Sequence, residues 1–315
     1  MSTILFPAGM TVDFHDINME VMEFYSRGWD LERIQMQKGM FKGSMIAAHT
    51  PRMQLFRANY SHGVLLQGDF PKGTILIAFI MTKADITFKN KIAEKHEIKI
   101  LKSGEEIDFL CNGKSETFTI AVEERFFYER YNAYFGHDFN RYKNDKNIYV
   151  DPRSFPFFIQ GFKQWMNYLM KDHKQHNIEK LYGRIESEIL EYIFSCIYLE
   201  DHPKYRQKFD IKIARDLIHG SYAEAANISS LAQELGISER LFYASFKSNY
   251  GISPKKYLLG LRMHDVRQAL LLSDPEDTTI SSVISKYNFF NPSTFTQAYK
   301  QMFGELPVER FKISH

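Results

Sequence analysis

Apolar positions along this chain recur first at the strand period of two and later at the helical period, and the last hundred residues give one helical pattern twice. Ile228, Leu231, Ala232 and Leu235 fall at i, i+3, i+4 and i+7, and Ile280, Val283, Ile284 and Tyr287 repeat that spacing. Each set predicts a short helix. Gly236-Ile237 and Asn288-Phe289 follow as turns, because glycine and asparagine best tolerate a left-handed backbone. Ser238 and Asn291 then have the chemistry of N-caps, with Pro292 at the first helical position of the later helix. In the second helices Phe242 and Phe246 answer to Phe295 and Tyr299, Lys247 to Lys300, Gly251 to Gly304 and Pro254 to Pro307. A two-helix unit given twice predicts a pair of helix-turn-helix modules, the pattern of a double DNA reader. Between them Pro254–Leu272, capped by Ser253, carries Tyr257, Leu258, Leu261, Val266, Ala269 and Leu270 as a buried side. A helix of that length spans about 28 Å. Major-groove faces on one side of B-DNA recur at roughly 34 Å, so such a spacer can set both modules on one face of a duplex.

The earlier chain reads differently. From Ser44 to Val122 short runs at period two are punctuated by glycine, and predict strands at Met53–Tyr60, Gly63–Phe70, Thr74–Met81, Glu97–Leu101, Ile107–Cys111 and Thr117–Val122. Strands at this spacing make an antiparallel sandwich or small barrel. After Glu123 helices follow at Phe126–Tyr134, along the stripe Phe155 to Leu169, and at Ile178–Leu199. The last is apolar on two sides. Leu181, Ile185 and Tyr192 on one side are candidates for a dimer contact, with a wide core-facing stripe as the equal alternative. A polar stretch at 201–210 containing Pro203 marks a linker, and Ile211–His219 reads as a helix leading into the first module. The expected organisation is a domain over 1–200, with its barrel at about 44–122 and helices at about 125–199, and an all-α domain over 211–315.

Composition changes this picture little. Residues 211–315 hold 12 Lys and Arg against 10 Asp and Glu, and the remainder is balanced, so net charge alone does not reveal a nucleic-acid partner. Placement is more telling: Arg240, Lys247, Lys255, Lys256 and Lys300 gather at or just after the two second helices. Cys111 and Cys196 lie far apart in apolar stretches and read as reduced, buried thiols in the cytoplasm. No leader or membrane span is expected.

The quoted residues carry a resemblance. "ISSLAQELGISERLFYASFKSNYGISPKKYLLGLRMHDVRQALLL" and "ISSVISKYNFFNPSTFTQAYKQMFGELP" resemble the DNA-binding domain of the AraC family, including a Phe-Lys pair, Gly-x-x-Pro exits and a connecting-helix arginine at Arg262. That likeness covers about a third of the chain. "GWDLERIQMQKGMFKG" (Gly28–Gly43) resembles the sensory domain of the ethanolamine-utilisation regulator branch of that family. The resemblance implies an α+β protein: an N-terminal cupin-like β-barrel with a helical dimerisation segment, and a C-terminal double helix-turn-helix. It further implies a homodimeric transcription regulator, an activator by family habit, that answers to a small effector and meets RNA polymerase at promoter DNA.

Specific candidates follow. With Leu241, Phe242, Ser245 and Phe246 inward, Arg240, Tyr243 and Ala244 face out to read bases, as do Ser293, Thr294 and Gln297 in the second module. Ala244 and Gln297 depart from the longer or basic residues common in the family. Lys247, Lys255, Lys256 and Lys300 are expected on phosphates. Arg33, His49, Arg52, Arg57 and Tyr60 are candidates for an effector pocket, where inward arginines would favour an anion. Phe56, Phe79, Phe88 and Phe109 read as core. His49, His62 and His96 lack the paired spacing of metal cupins, and no nucleophile or phosphate-loop motif is present, so no metal, cofactor or catalysis is expected. The competing readings are a DNA-binding regulator without an effector, governed by partner-protein contacts, an enzyme with a DNA-binding tail, and an architectural protein.

Overall fold

A computed structural model describes residues 8–311 apart from 27, 90, 94–95, 136–138, 140–146, 151–154, 171–177, 201–210, 222–226 and 236–238. Period-two alternation sorts the N-terminal half into layers. The larger sheet has eight strands in the order β1 (Thr11–Ile17), β3 (Gly43–His49), β4 (Met53–Tyr60), β11 (Ser115–Glu123), β6 (Thr74–Thr82), β9 (Glu97–Leu101), β12 (Asn147–Val150) and β13 (Ile197–Glu200). The smaller has five: β2 (Asp30–Gln35), β5 (Val64–Asp69), β10 (Ile107–Cys111), β7 (Ile86–Phe88) and β8 (Lys91–Ile92). Neighbouring strands in both are antiparallel. Two separate sheets stand where a closed barrel was expected. Strands β1 and β2 also precede Ser44, and Ile197–Glu200, read from the sequence as the end of a helix, is a strand.

One face of the larger sheet, with Leu55, Ile77, Phe79, Phe118 and Ile120, packs under helices α2 (Glu124–Phe135), α3 (Phe155–Met170) and α4 (Ile178–Cys196). Its other face, with Phe56, Ala58, Tyr60, Leu76 and Leu101, meets Leu66, Ile107 and Phe109 of the smaller sheet. A short helix, α1 (Met19–Tyr25), caps the edge of β2, with Asn18 accepting from the Val21 amide.

The C-terminal helices are α5 (Ile211–Ser221), α6 (Ile228–Glu234), α7 (Glu239–Tyr250), α8 (Pro254–Leu272), α9 (Ile280–Lys286), α10 (Pro292–Phe303) and α11 (Pro307–Phe311). Asn227 caps α6, Ser253 caps α8, and Thr279 with Ser282 forms a reciprocal capping box on α9. The second turn is as the sequence predicts: Asn288 is left-handed at φ 63°, and the Asn291 side chain accepts from the Thr294 amide at 3.0 Å. The corresponding Gly236, Ile237 and Ser238, and the expected linker at 201–210, lie outside the described residues. Among the described residues no helix is long and apolar enough to cross a membrane.

Candidate nucleic-acid interface and inter-sheet cavity

In each C-terminal unit the apolar side of the second helix is what fixes its free side. Phe242, Phe246 and Tyr250 of α7 are buried against α6 and against Tyr257, Leu258 and Leu261 of α8. Phe295, Tyr299, Met302 and Phe303 of α10 are buried against Val283 and Ile284 of α9 and Met263, Val266 and Leu270 of α8. Helix α8 is thus the shared spine. On α10, Ser293, Thr294 and Gln297 are exposed along the N-terminal half, as base reading requires, and Lys300 is exposed one turn on. Lys247, Lys255 and Lys256 are also exposed. Tyr243 is half-buried and packs on the cluster of the first unit, so its expected outward position is corrected to a shoulder of that core. The side chains of Arg240 and Ala244 lie outside the described residues.

Between the two sheets of the N-terminal half lies a partly open cavity of about 50 Å³. Of the expected pocket residues, Arg33 and Tyr60 line it. His49, Arg52 and Arg57 do not, and these three are corrections. Arg57 lies on the helix side of β4, beside Glu116 at 2.5 Å, because it alternates with Phe56 and Ala58. Arg52 pairs with Glu186 of α4 at 2.6 Å and lies over the Phe126 ring. His49 bonds the Met10 carbonyl at 2.7 Å and Gln54, and burial lowers its pKa, which keeps the ring neutral. Gln54 in turn accepts from the indole of Trp29, a cavity residue, at 2.6 Å. Phe56, Phe88 and Phe109, expected as core alone, line the cavity as well, while Phe79 lies under the helices. Lys99 and Trp29 line it too and were missed. Lys99 alternates with Ile98 and Ile100, which face the helices, so the same period-two rule would have found it.

Ile185 is buried in the chain's own core, and Tyr192 packs edge-on to Trp165, so neither offers a free dimer face; the side chain of Leu181 lies outside the described residues. Buried Cys111 is a free thiol, and the side chain of Cys196 is not among those described.

Both C-terminal units rest on the N-terminal half. Ile34, Leu65 and Leu110, on the face of the smaller sheet turned from the cavity, join the cluster of the first unit. Around them Arg215 pairs with Asp108, the Asn112 amide donates to the Tyr250 carbonyl at 2.7 Å, and His264 meets Glu32 at 3.3 Å. Glu32, His264 and Asp265 bring ligand atoms within 4.8 Å of one another, but two of the three are already joined as that pair. At the second unit Glu20 of α1 pairs with Arg267 at 3.0 Å and with Arg310 at 2.7 Å. The Met302 carbonyl, at the C-terminal end of α10, accepts from Gln35 at 2.6 Å and from the Gly39 amide at 3.0 Å.

Two helix-turn-helix units on one connecting helix define a double helix-turn-helix DNA-binding module. Residues 231–312 match a family described as a helix-turn-helix domain. The Msm operon regulatory protein of Streptococcus mutans is 25% identical over 130 residues, covering 41% of this chain and 45% of its own. The lactose operon transcription activator of Staphylococcus xylosus is 28% identical over 123 residues, covering 36% and 43%. Among solved structures, a transcriptional regulator with an AraC-type DNA-binding domain from Chromobacterium violaceum is 25% identical, covering 33% of this chain and 90% of that one, with a TM-score of 0.30. The C-terminal region is thus a helix-turn-helix domain similar to the AraC-type domain of that regulator, and the two curated relatives are operon regulators. The chain spans less than half the length of those two relatives.

Proposed function

We propose that the protein is a sequence-specific transcriptional activator whose hold on promoter DNA is set by a small effector in the inter-sheet cavity. One observation carries this reading: the smaller sheet has the cavity on one face and the first DNA-binding unit on the other. Along β2, Leu31 and Arg33 line the cavity, while Glu32 and Ile34 touch the C-terminal helices. Along β10, Ile107 and Phe109 line it, while Asp108 and Leu110 touch them. Successive strand residues point to opposite faces, so a ligand that shifts these strands also shifts the seat of the first unit. The domains are 1–200 and 211–315, and the partners are double-stranded DNA, RNA polymerase and a second copy of the chain in the cytoplasm.

In the second unit Ser293, Thr294 and Gln297 read bases, Gln297 suiting adenine. The four exposed lysines hold phosphates without reading sequence. Fluorescence anisotropy on a promoter site recovered by genomic footprinting, set against a scrambled duplex, tests these roles. Gln297→Ala should cost about 1–3 kcal/mol on the true site and little on the scrambled one. Lys300→Ala should weaken both alike and reduce the salt slope by about one. Equal losses by both variants on both duplexes would overturn the assignment.

A further inference from the structure

The cavity is lined almost throughout by apolar side chains, yet it holds one fixed charge with no ion-pair partner among the described residues. Arg33 is 1% exposed. Its guanidinium donates to the Leu31 carbonyl at 3.2 Å and to the Ser26 hydroxyl at 2.8 Å, both neutral acceptors. Its Nε is buried with no acceptor, and among the described residues no carboxylate lies within ion-pair distance of the group. Glu23 takes the backbone amide of Arg33 at 2.9 Å along the edge of β2 and makes no ion pair with the guanidinium; burial raises its carboxyl towards the neutral form against the opposing pull of that amide, His264 and Arg33. The other cation on the lining, Lys99, is already paired with Glu97. Thr117 and Thr119 turn their hydroxyls to the Ala58 and Phe56 carbonyls. A buried charge with an open donor is costly until an anion meets it, and an anion on Arg33 would remove that cost.

We infer that the cavity binds an apolar monocarboxylate, its carboxylate on Arg33 and its hydrocarbon body against Trp29, Phe56, Leu66, Phe88 and Phe109. This rests on the regulator reading above and names the chemistry of the effector. A dianion would bring a second charge with no partner on the lining. A sugar would bring several hydroxyls, whereas the other buried polar atoms left without partners, among them Gln35 Oε1, Asn112 Oδ1 and Ser115 Oγ, do not line the cavity. Only a molecule with one anionic end and a dry body matches the donors and the surface together.

The test uses the full-length chain carrying Trp165→Phe, so that Trp29 is its sole tryptophan. Hexanoate, octanoate, decanoate and phenylacetate are titrated against the primary alcohols of the same skeletons, with Trp29 emission and thermal shift as readouts. A charge-assisted hydrogen bond in a buried site predicts that the best acid binds about tenfold or more tighter than its alcohol. Arg33→Gln should bring that ratio to about one, and Lys99→Met should leave it standing. If Arg33→Gln does not fold, the acid-to-alcohol ratio in the parent protein decides. Should no acid bind more tightly than its alcohol, the assignment is overturned. Promoter binding is measured on the same samples. Selective DNA binding without acid preference sinks the ligand class alone, and acid preference without DNA selectivity sinks the regulator reading alone.

Discussion

The two helix-turn-helix units share one sequence pattern but are mounted on the chain by different balances of forces, the first adding to its polar contacts an apolar seat that the second lacks. The first has no boundary of its own: Phe242, Phe246 and Tyr250 lie in one apolar cluster with Ile34, Leu65 and Leu110 of the smaller sheet. The second keeps a separate core, which contains no N-terminal residue, and meets the N-terminal half through directed polar contacts to Glu20, Gln35 and Gly39. Apolar contact is non-directional and follows area, whereas ion pairs and hydrogen bonds specify geometry. The first unit therefore moves with the sheet that borders the cavity, and the second is latched at a fixed orientation. Repetition in the sequence defines what each unit is. Unrepeated residues on its back define how it is held.

The largest effect should come from breaking the latch. Glu20→Ala leaves Arg310 and Arg267, 5% and 9% exposed, without their N-terminal carboxylate, although Arg267 retains Glu305 at 3.0 Å. Removing one partner of a buried ion pair costs about 3–5 kcal/mol, because the charges left behind stay buried. Urea denaturation should show that loss, and amide exchange should accelerate in α9 to α11 while α6 and α7 stay protected. Equal loss of protection in both units would mean that they are mounted alike.

The complementary cut is Leu110→Ala. Leu110 is buried between the smaller sheet and the first unit, facing away from the cavity, and truncation at such a site costs about 2–4 kcal/mol. Here exchange should quicken in α5 to α7 and leave α9 to α11 unchanged. If the second unit loosened first, the apolar seat would not be what holds the first.

Much of this arrangement was legible from local pattern. Met53–Tyr60, Glu97–Leu101, Ile107–Cys111 and Pro254–Leu272 agree to the residue, because each combines a clean period with a turn or cap residue at its ends. Strand Asp30–Gln35 was not read as one, since DLERIQ carries charges that make sense only once Glu32 meets His264, far along the chain. Ile197–Glu200 is a short apolar run at the end of a helical stripe, where period cannot separate strand from helix. At the cavity, Arg57 and Tyr60 could not both point inward, being an odd number of residues apart in one strand. Alternation alone would have rejected one of them. Which one to keep needed the partner sheet, as did the mounting of the two units, because contacts between distant segments leave no periodic mark.

The smallest and most local effect is a dependence on pH confined to the first unit. His219 of α5 lies 2.7 Å from the Tyr257 hydroxyl at the centre of that mounting. Burial, and then the Arg215 guanidinium, push its pKa down to about 4, against the opposing pull of Glu32 and Asp216. Folded protein therefore holds this ring neutral at a pH where the unfolded chain, with the ordinary value of 6.5, already binds a proton. Its contribution to stability is complete above 6.5 and is lost as pH falls towards about 4, a loss of about 1–3 kcal/mol. Glu32, whose pKa is lowered chiefly by its hydrogen bond with His264, loses its own contribution only below the ordinary carboxylate value, so the two windows separate. His219→Gln keeps a polar partner for Tyr257 and has nothing to titrate. Protection factors in α5 to α7, corrected for the intrinsic exchange rate at each pH, should fall between pH 7 and pH 5 in the parent protein and stay level in this variant. An unchanged slope would place the acid-sensitive group elsewhere, with buried His49 of the N-terminal half as the next to test.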